Sequence, residues 1–325
     1  MTNILIALVV LLVIVSLVQI TRVSELLAEL KNEDINNISD SDNNYQGTLT
    51  LVIGFSFVIF VIWQMYEWNH LLLPPAASVH GMEIDALMRV SMGLILVVFF
   101  ALTPLLFFFT YKYRGKKGRK AYFFAHNNKL EVIWTVVPTV VLTALIIYGL
   151  RTWDRAMNVD VSNSTIIEVY SKQFGWTARS AGEDNKLGKS NFRLVDNTNV
   201  LGVDMEDPNA ADDKVLREVH LVVGKPVLLK FRSQDVIHSA FLPHFRVQMN
   251  CVPGLSTQFG FTPTKTTKEM KEQEGEDFDY VLLCNKICGA SHYNMQMKFI
   301  VETQEEYDAW IASKKTMKEK LLTQK

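Results

Sequence analysis

The stretch Leu283-Cys-Asn-Lys-Ile-Cys-Gly-Ala-Ser-His-Tyr-Asn-Met295 holds two cysteines, a histidine and a methionine, and the whole chain has only 3 cysteines. Two thiols four residues apart, with an imidazole and a thioether close behind, admit a disulfide, a zinc site, a redox dithiol, a haem attachment or a copper site. Haem attachment requires Cys-x-x-Cys-His, and a thioredoxin-like dithiol also uses Cys-x-x-Cys, so the spacing is one residue too long for either. Zinc seldom recruits methionine, whereas thiolate and thioether donors suit copper, whose electron-transfer sites combine His, Cys and a weak axial Met. Copper leads on the fragment alone, and the disulfide stays open.

The residues around the fragment read as strands. The runs STIIEVYSKQ, EVHLVV, PVLLKFRS, AFLPHFRVQM, DYVLLCN and MQMKFIVE are rich in β-branched and aromatic residues, with Gly, Pro, Asn and Asp between them. Short strands without intervening helices predict a β-sandwich or Greek-key barrel. Cys284 then closes one strand and Met295 opens the next, so 285–294 is a loop at one end of the barrel, the arrangement of a cupredoxin-type site. One further ligand must come from elsewhere, and His220, His238 and His244 are the candidates. Two segments, DMEDPNAADD and TKTTKEMKEQEGED, read as solvated excursions, and EEYDAWIASKKTMKEKLL as one helix packed through Tyr307, Trp310 and Ile311.

The first half of the chain is different. Asn3–Ile20, Thr48–Tyr66, Ser91–Thr110 and Val132–Leu150 are each apolar enough and long enough for a hydrocarbon core of about 30 Å. The first run lacks a basic n-region and a small-residue cleavage site, so it is expected to stay as a membrane helix rather than act as a signal peptide. Lys112, Arg114, Lys116, Lys117, Arg119, Lys120 and Lys129 crowd between the third and fourth runs. The positive-inside rule puts that loop in the cytoplasm and everything after about Arg151 outside. An external location exposes the thiols to an oxidising compartment, where a metal or a disulfide would hold them. The formal net charge of −1 gives no argument for nucleic acid as a partner.

The segments DVIHSAFLPHFRVQMNCVPG and CNKICGASHYNM together closely resemble subunit 2 of the haem–copper cytochrome c oxidases. HNNKLEVIWTVVP is similar to the family's second membrane-helix entrance, and the likeness spans roughly Glu83–Lys314. The resemblance implies an α+β membrane protein, with transmembrane helices followed by an external cupredoxin-like Greek-key β-barrel. It divides the chain into an extension at 1–82 with two extra helices, a helical hairpin at 83–155, a copper A domain at 156–303 and a tail at 304–325. It implies a centre of two copper ions with His238 and His292 as imidazole ligands and Cys284 and Cys288 as bridging thiolates. Met295 would supply the thioether and Lys286 its backbone carbonyl. Phe174, Trp176 and Asp235 would mark where electrons come in, and Glu131 the mouth of a proton path. Cys251 matches a position that is not a ligand.

Two departures stand out. Lys286 replaces a glutamate that also serves a magnesium site, and an ammonium has no lone pair to give, which puts that site in question. Gln173–Trp176 reads QFGW where the family has Gln-Trp-x-Trp, so Phe174 takes the place of the tryptophan that faces the donor.

The implied function is the electron-accepting subunit of a respiratory oxidase. It would draw on external cytochrome c, or a haem domain of a larger assembly, and feed a catalytic haem–copper subunit in a bacterial inner membrane, among lipid. A quinol-oxidase relative would have lost the ligands, and all five side chains are present. A membrane-anchored copper chaperone or sensor would not need the Glu131 region, and its site would be open rather than closed and dinuclear.

Overall fold

A computed structural model of the chain describes residues 2–30, 39–158 and 163–323, which fall into two compact units. Among the described residues four helices are long and apolar enough to cross a membrane. They are α1 (Thr2–Leu30), α2 (Asp40–Glu67), α3 (Val79–Lys112) and α4 (Asn128–Met157). Each contains one of the apolar runs and extends past it. Pro104 lies inside α3 and Pro138 inside α4.

The first unit comprises residues 1–69 and 95–127. The Ser39 side chain caps α2 by accepting from the Asp42 backbone N–H, and Asp40 and Asp42 sit in its first turn, where the helix dipole favours negative charge. Small residues on α2 let it lie close to α3. A Cβ added to Gly54 would fall 2.0 Å from the Phe107 ring, and one added to Gly47 would fall 2.6 Å from the Arg114 side chain. Such small-residue contacts pack helices in lipid, where no hydrophobic force drives them together. Arg114 Nε donates to Asn44 Oδ1 at 2.7 Å and Lys117 N to Asp40 Oδ1 at 2.8 Å, fastening the polar end of the pair.

The second unit comprises residues 70–94 and 128–325 and contains the β-domain. Its strands are β1 (Thr165–Lys172), β2 (Gly175–Ser180), β3 (Lys214–Leu216), β4 (Val219–Val222), β5 (Val227–Ser233), β6 (His238–Leu242), β7 (Val247–Cys251), β8 (Thr257–Phe261), β9 (Tyr280–Cys284) and β10 (Gln296–Glu302). They form two five-stranded sheets, ordered β3-β2-β1-β5-β8 and β4-β10-β9-β6-β7. β1 runs parallel to β5 and β4 to β10, and the other pairings are antiparallel. The sheets close on a core in which Val169, Leu229 and Phe231 of one meet Leu242, Leu282 and Phe299 of the other. The period of two sets the burial along β9 and β10, whereas β1 and β4 are buried on both faces. Tyr280, Leu282 and Cys284 face inward on β9, as do Met297, Phe299 and Val301 on β10.

Several local readings change. AFLPHFRVQM is two strands, because Pro243 starts a turn (Pro243–Phe245) that ends on Arg246 at φ 55. TKTTKEMKEQEGED is not a solvated loop. Thr266 and Glu269 form a reciprocal capping box that opens α5 (Thr267–Glu274), and Met270 on that helix is fully buried. The acidic excursion also turns inward at its end, where Asp213 is fully buried and paired with Arg179 at 2.9 Å. The tail is two helices, α6 (Gln304–Ala312) and α7 (Met317–Thr323).

Candidate metal centre

The ladder that joins β9 to β10 delivers two of the predicted ligands. Leu283 pairs with Gln296, and beyond it Cys284 N donates to the Met295 carbonyl at 3.1 Å. Cys284 and Met295 are therefore the last cross-strand pair, both on the inner face. β6 delivers the third. Ala240 pairs with Cys284, and His238 lies two residues away on the same face, fully buried. The loop between Cys284 and Met295 folds back and brings in Cys288 and His292.

The donor atoms converge. The Cys284 and Cys288 sulfurs lie 3.9 Å apart, and both thiols are free. His238 Nδ1 is 3.8 Å from Cys284 Sγ and His292 Nδ1 is 3.6 Å from Cys288 Sγ. Met295 Sδ lies 3.9 Å from Cys288 Sγ, and the Lys286 carbonyl lies 3.3 Å from Cys284 Sγ while its side chain is exposed. The ligand atoms of His238, Cys284 and Cys288 all fall within 4.8 Å of one another. A disulfide needs sulfurs about 2.05 Å apart. Two thiolates each about 2.3 Å from a shared metal can be separated by up to about 4.6 Å, so the observed spacing suits a bridged metal. Thiolates, imidazoles and one thioether favour copper over zinc. The residues fit the group that the sequence implies.

The electrostatics agree. Burial, with the neighbouring Cys284 adding to it, pushes the Cys288 thiol up to about 11. Two close thiolates are sustained only by cations that compensate them, so metal uptake here expels protons. Asp235 orients His238: its Oδ1 lies 2.9 Å from Nε2, which leaves Nδ1 turned to the cysteines. Trp176 Nε1 donates to the Met295 carbonyl at 3.3 Å, and its ring meets His238 edge-on at 6.1 Å.

The other two histidine candidates lie elsewhere. His220 stacks on Trp310 at 3.7 Å with Nδ1 on Glu302, and the His244 ring meets Phe278 and Tyr280 edge-on. Cys251 is fully buried on β7, opposite His238. Phe174 is partly exposed in the β1–β2 turn, and Glu131 is exposed in the first turn of α4. Sequence reasoning missed Gln173, whose side-chain amide donates to the Cys288 carbonyl across 115 residues. It also gave Asp235 no part in holding His238. Only the first of these lacks any local signal, since Asp235 lies at i−3 from the histidine.

Two family models match this chain, the cytochrome c oxidase subunit II transmembrane domain over residues 66–152 and the periplasmic domain of the same subunit over 167–303. The chain belongs to the cytochrome c oxidase subunit II family. It is 32% identical to the alternative cytochrome c oxidase subunit 2 of Bradyrhizobium diazoefficiens, over 82% of this chain and 91% of that one. It is 25% identical to cytochrome c oxidase subunit 2 of Synechocystis, over 82% of each. Among solved structures, the periplasmic domain of subunit II of cytochrome oxidase from Bradyrhizobium japonicum aligns with a TM-score of 0.32 at 22% identity, over 46% of this chain and 91% of that one. The family, the four apolar helices and the two sheets make the chain an α+β membrane protein.

Proposed function

We propose that this subunit II carries a dinuclear copper A centre and accepts electrons from external cytochrome c, or from a haem domain of a larger respiratory assembly. It passes them to haem in the catalytic subunit, coupled to oxygen reduction and proton translocation. The observation that carries this reading is the convergence of both cysteine sulfurs, both imidazoles and the thioether at one end of the barrel. Copper held there by His238, Cys284, Cys288, His292 and Met295 would supply one-electron chemistry. The chain's own residues do the rest. Asp235 fixes the tautomer of His238, the buried rings of Trp176 and the core exclude water, and the Lys286 carbonyl completes the donor set.

Around the centre Phe174, Val236, Ile237, Ile287 and Tyr293 are exposed, an apolar rim suited to docking a donor and the catalytic subunit. The basic 111–130 loop supports an orientation with the copper domain outside a bacterial inner membrane. Residues 1–82 serve as an extension that adds two helices to the 83–155 hairpin, the 156–303 copper domain and the 304–325 tail. Glu131 at the start of α4 is read as the mouth of a proton path. With Lys286 in place of a carboxylate, we assign no magnesium to the contact with the catalytic subunit.

Rapid mixing of the assembled oxidase with ferrous cytochrome c tests the reading. Copper absorbance should change before the haem is reduced, and Cys288→Ser should abolish the copper phase. Haem reduction at the unmodified rate in Cys288→Ser would refute it.

A further inference from the structure

The β1–β2 turn touches both segments that supply the converging side chains. Gln173 N donates to Asp235 Oδ2 at 2.8 Å, while the other oxygen of that carboxylate lies 2.9 Å from His238 Nε2 and accepts from Val236 N at 2.8 Å. The Gln173 side-chain amide donates to the carbonyl of Cys288. The next peptide is held as well. Gly289 has φ +142, and a Cβ there would lie 2.8 Å from the Phe174 ring and 3.1 Å from Gln173 Nε2. Cys288 is the sulfur that lies near Cys284, His292 and Met295 together, so its backbone governs three of the close approaches.

We propose that Gln173 is a positioning residue for the copper centre, tying the Cys288 loop of one sheet to the His238 segment through the turn of the other sheet. The inference rests on the copper reading above. Its main-chain arm acts on His238 through Asp235, and its side-chain arm sets the torsion that aims Cys288 Sγ. Phe174 packs on the Gly289 backbone beside that arm, so pressure on the exposed ring is transmitted to the loop one residue from Cys288. Outer partners of metal ligands commonly change affinity by 10- to 100-fold, and an exposed amide belongs at the lower end of that range.

The test uses the full-length chain in detergent, loaded with copper, and Gln173→Met, which keeps length but cannot donate. The variant should bind copper about tenfold more weakly in chelator competition and show an altered copper hyperfine pattern in EPR. Its copper-free form should melt with the unmodified chain. Unchanged affinity and hyperfine pattern would overturn the proposal. So would a lower melting temperature of the copper-free form with an unchanged hyperfine pattern, since that marks a merely structural role. Failure of the unmodified chain to take up copper would instead refute the reading on which the inference stands.

Discussion

His244 shows how one residue sets a pH response. Burial, with Arg246 adding to it, lowers its pKa to about 4. In the unfolded chain the same ring protonates near 6.5. Between those values the unfolded state binds more protons, so stability rises with pH; it is fully present above about 6.5 and lost as pH falls toward 4. Asp213 works in the opposite sense: burial raises it to about 6, and its contribution is lost as pH rises through that value. We expect His244→Phe to flatten the rise in Tm between about pH 4.5 and 6.5 by several degrees, read from melts of the detergent-solubilised chain. An unchanged slope would show that His244 is already charged in the fold. Lys286 is the other informative residue. Its carbonyl lies against Cys284 while its side chain is exposed, so the two ends do separate jobs. Lys286→Glu should create a manganese site in the assembled oxidase, detected by EPR, with the copper spectrum nearly unchanged. Manganese bound there without the substitution would contradict the argument.

At the scale of elements, α2 is fitted to α3 by absence of side chains. A side chain at Gly54 meets the Phe107 ring, and overpacking of this kind costs about 1–3 kcal/mol. The Phe57 and Phe99 ring centroids lie 6.2 Å apart on the same helix pair. Gly54→Leu should therefore cut cross-linking by a short bifunctional thiol reagent between cysteines placed at Phe57 and Phe99, whereas the Gly54 chain should cross-link; equal cross-linking would show that α2 does not use this face. Much of the element plan was legible in the sequence. Uninterrupted apolar runs mark the four long helices, and short runs rich in β-branched and aromatic residues, bounded by turn formers, mark β9 and β10. What escaped lacked such a signal. α5 depends on a capping box and one buried methionine within a highly charged segment, and Pro243 breaks a continuous apolar run without changing its composition. The edge between β2 and its neighbours was hidden because GWTARS carries an arginine. That arginine is buried, and its charge is met by Glu168 and Asp213.

For the whole molecule, the candidate centre was readable as residue types but not as geometry. Spacing singled out Cys284, Cys288, His292 and Met295 as candidates, while their roles as ligands and the choice of His238 over His220 and His244 came from resemblance; the β6–β9 register sets His238 two residues from the partner of Cys284. Gln173 stayed hidden because its partner lies on the other sheet. The central claim is that these side chains hold two bridged coppers. The measurement that tests it most directly is copper content with EPR of the purified full-length chain beside Cys288→Ser. The account predicts two coppers per chain with one unpaired electron shared between them, and loss of that shared signal in the variant. Zinc at the site, a Cys284–Cys288 disulfide in copper-exposed protein, or a shared signal persisting in Cys288→Ser would contradict it.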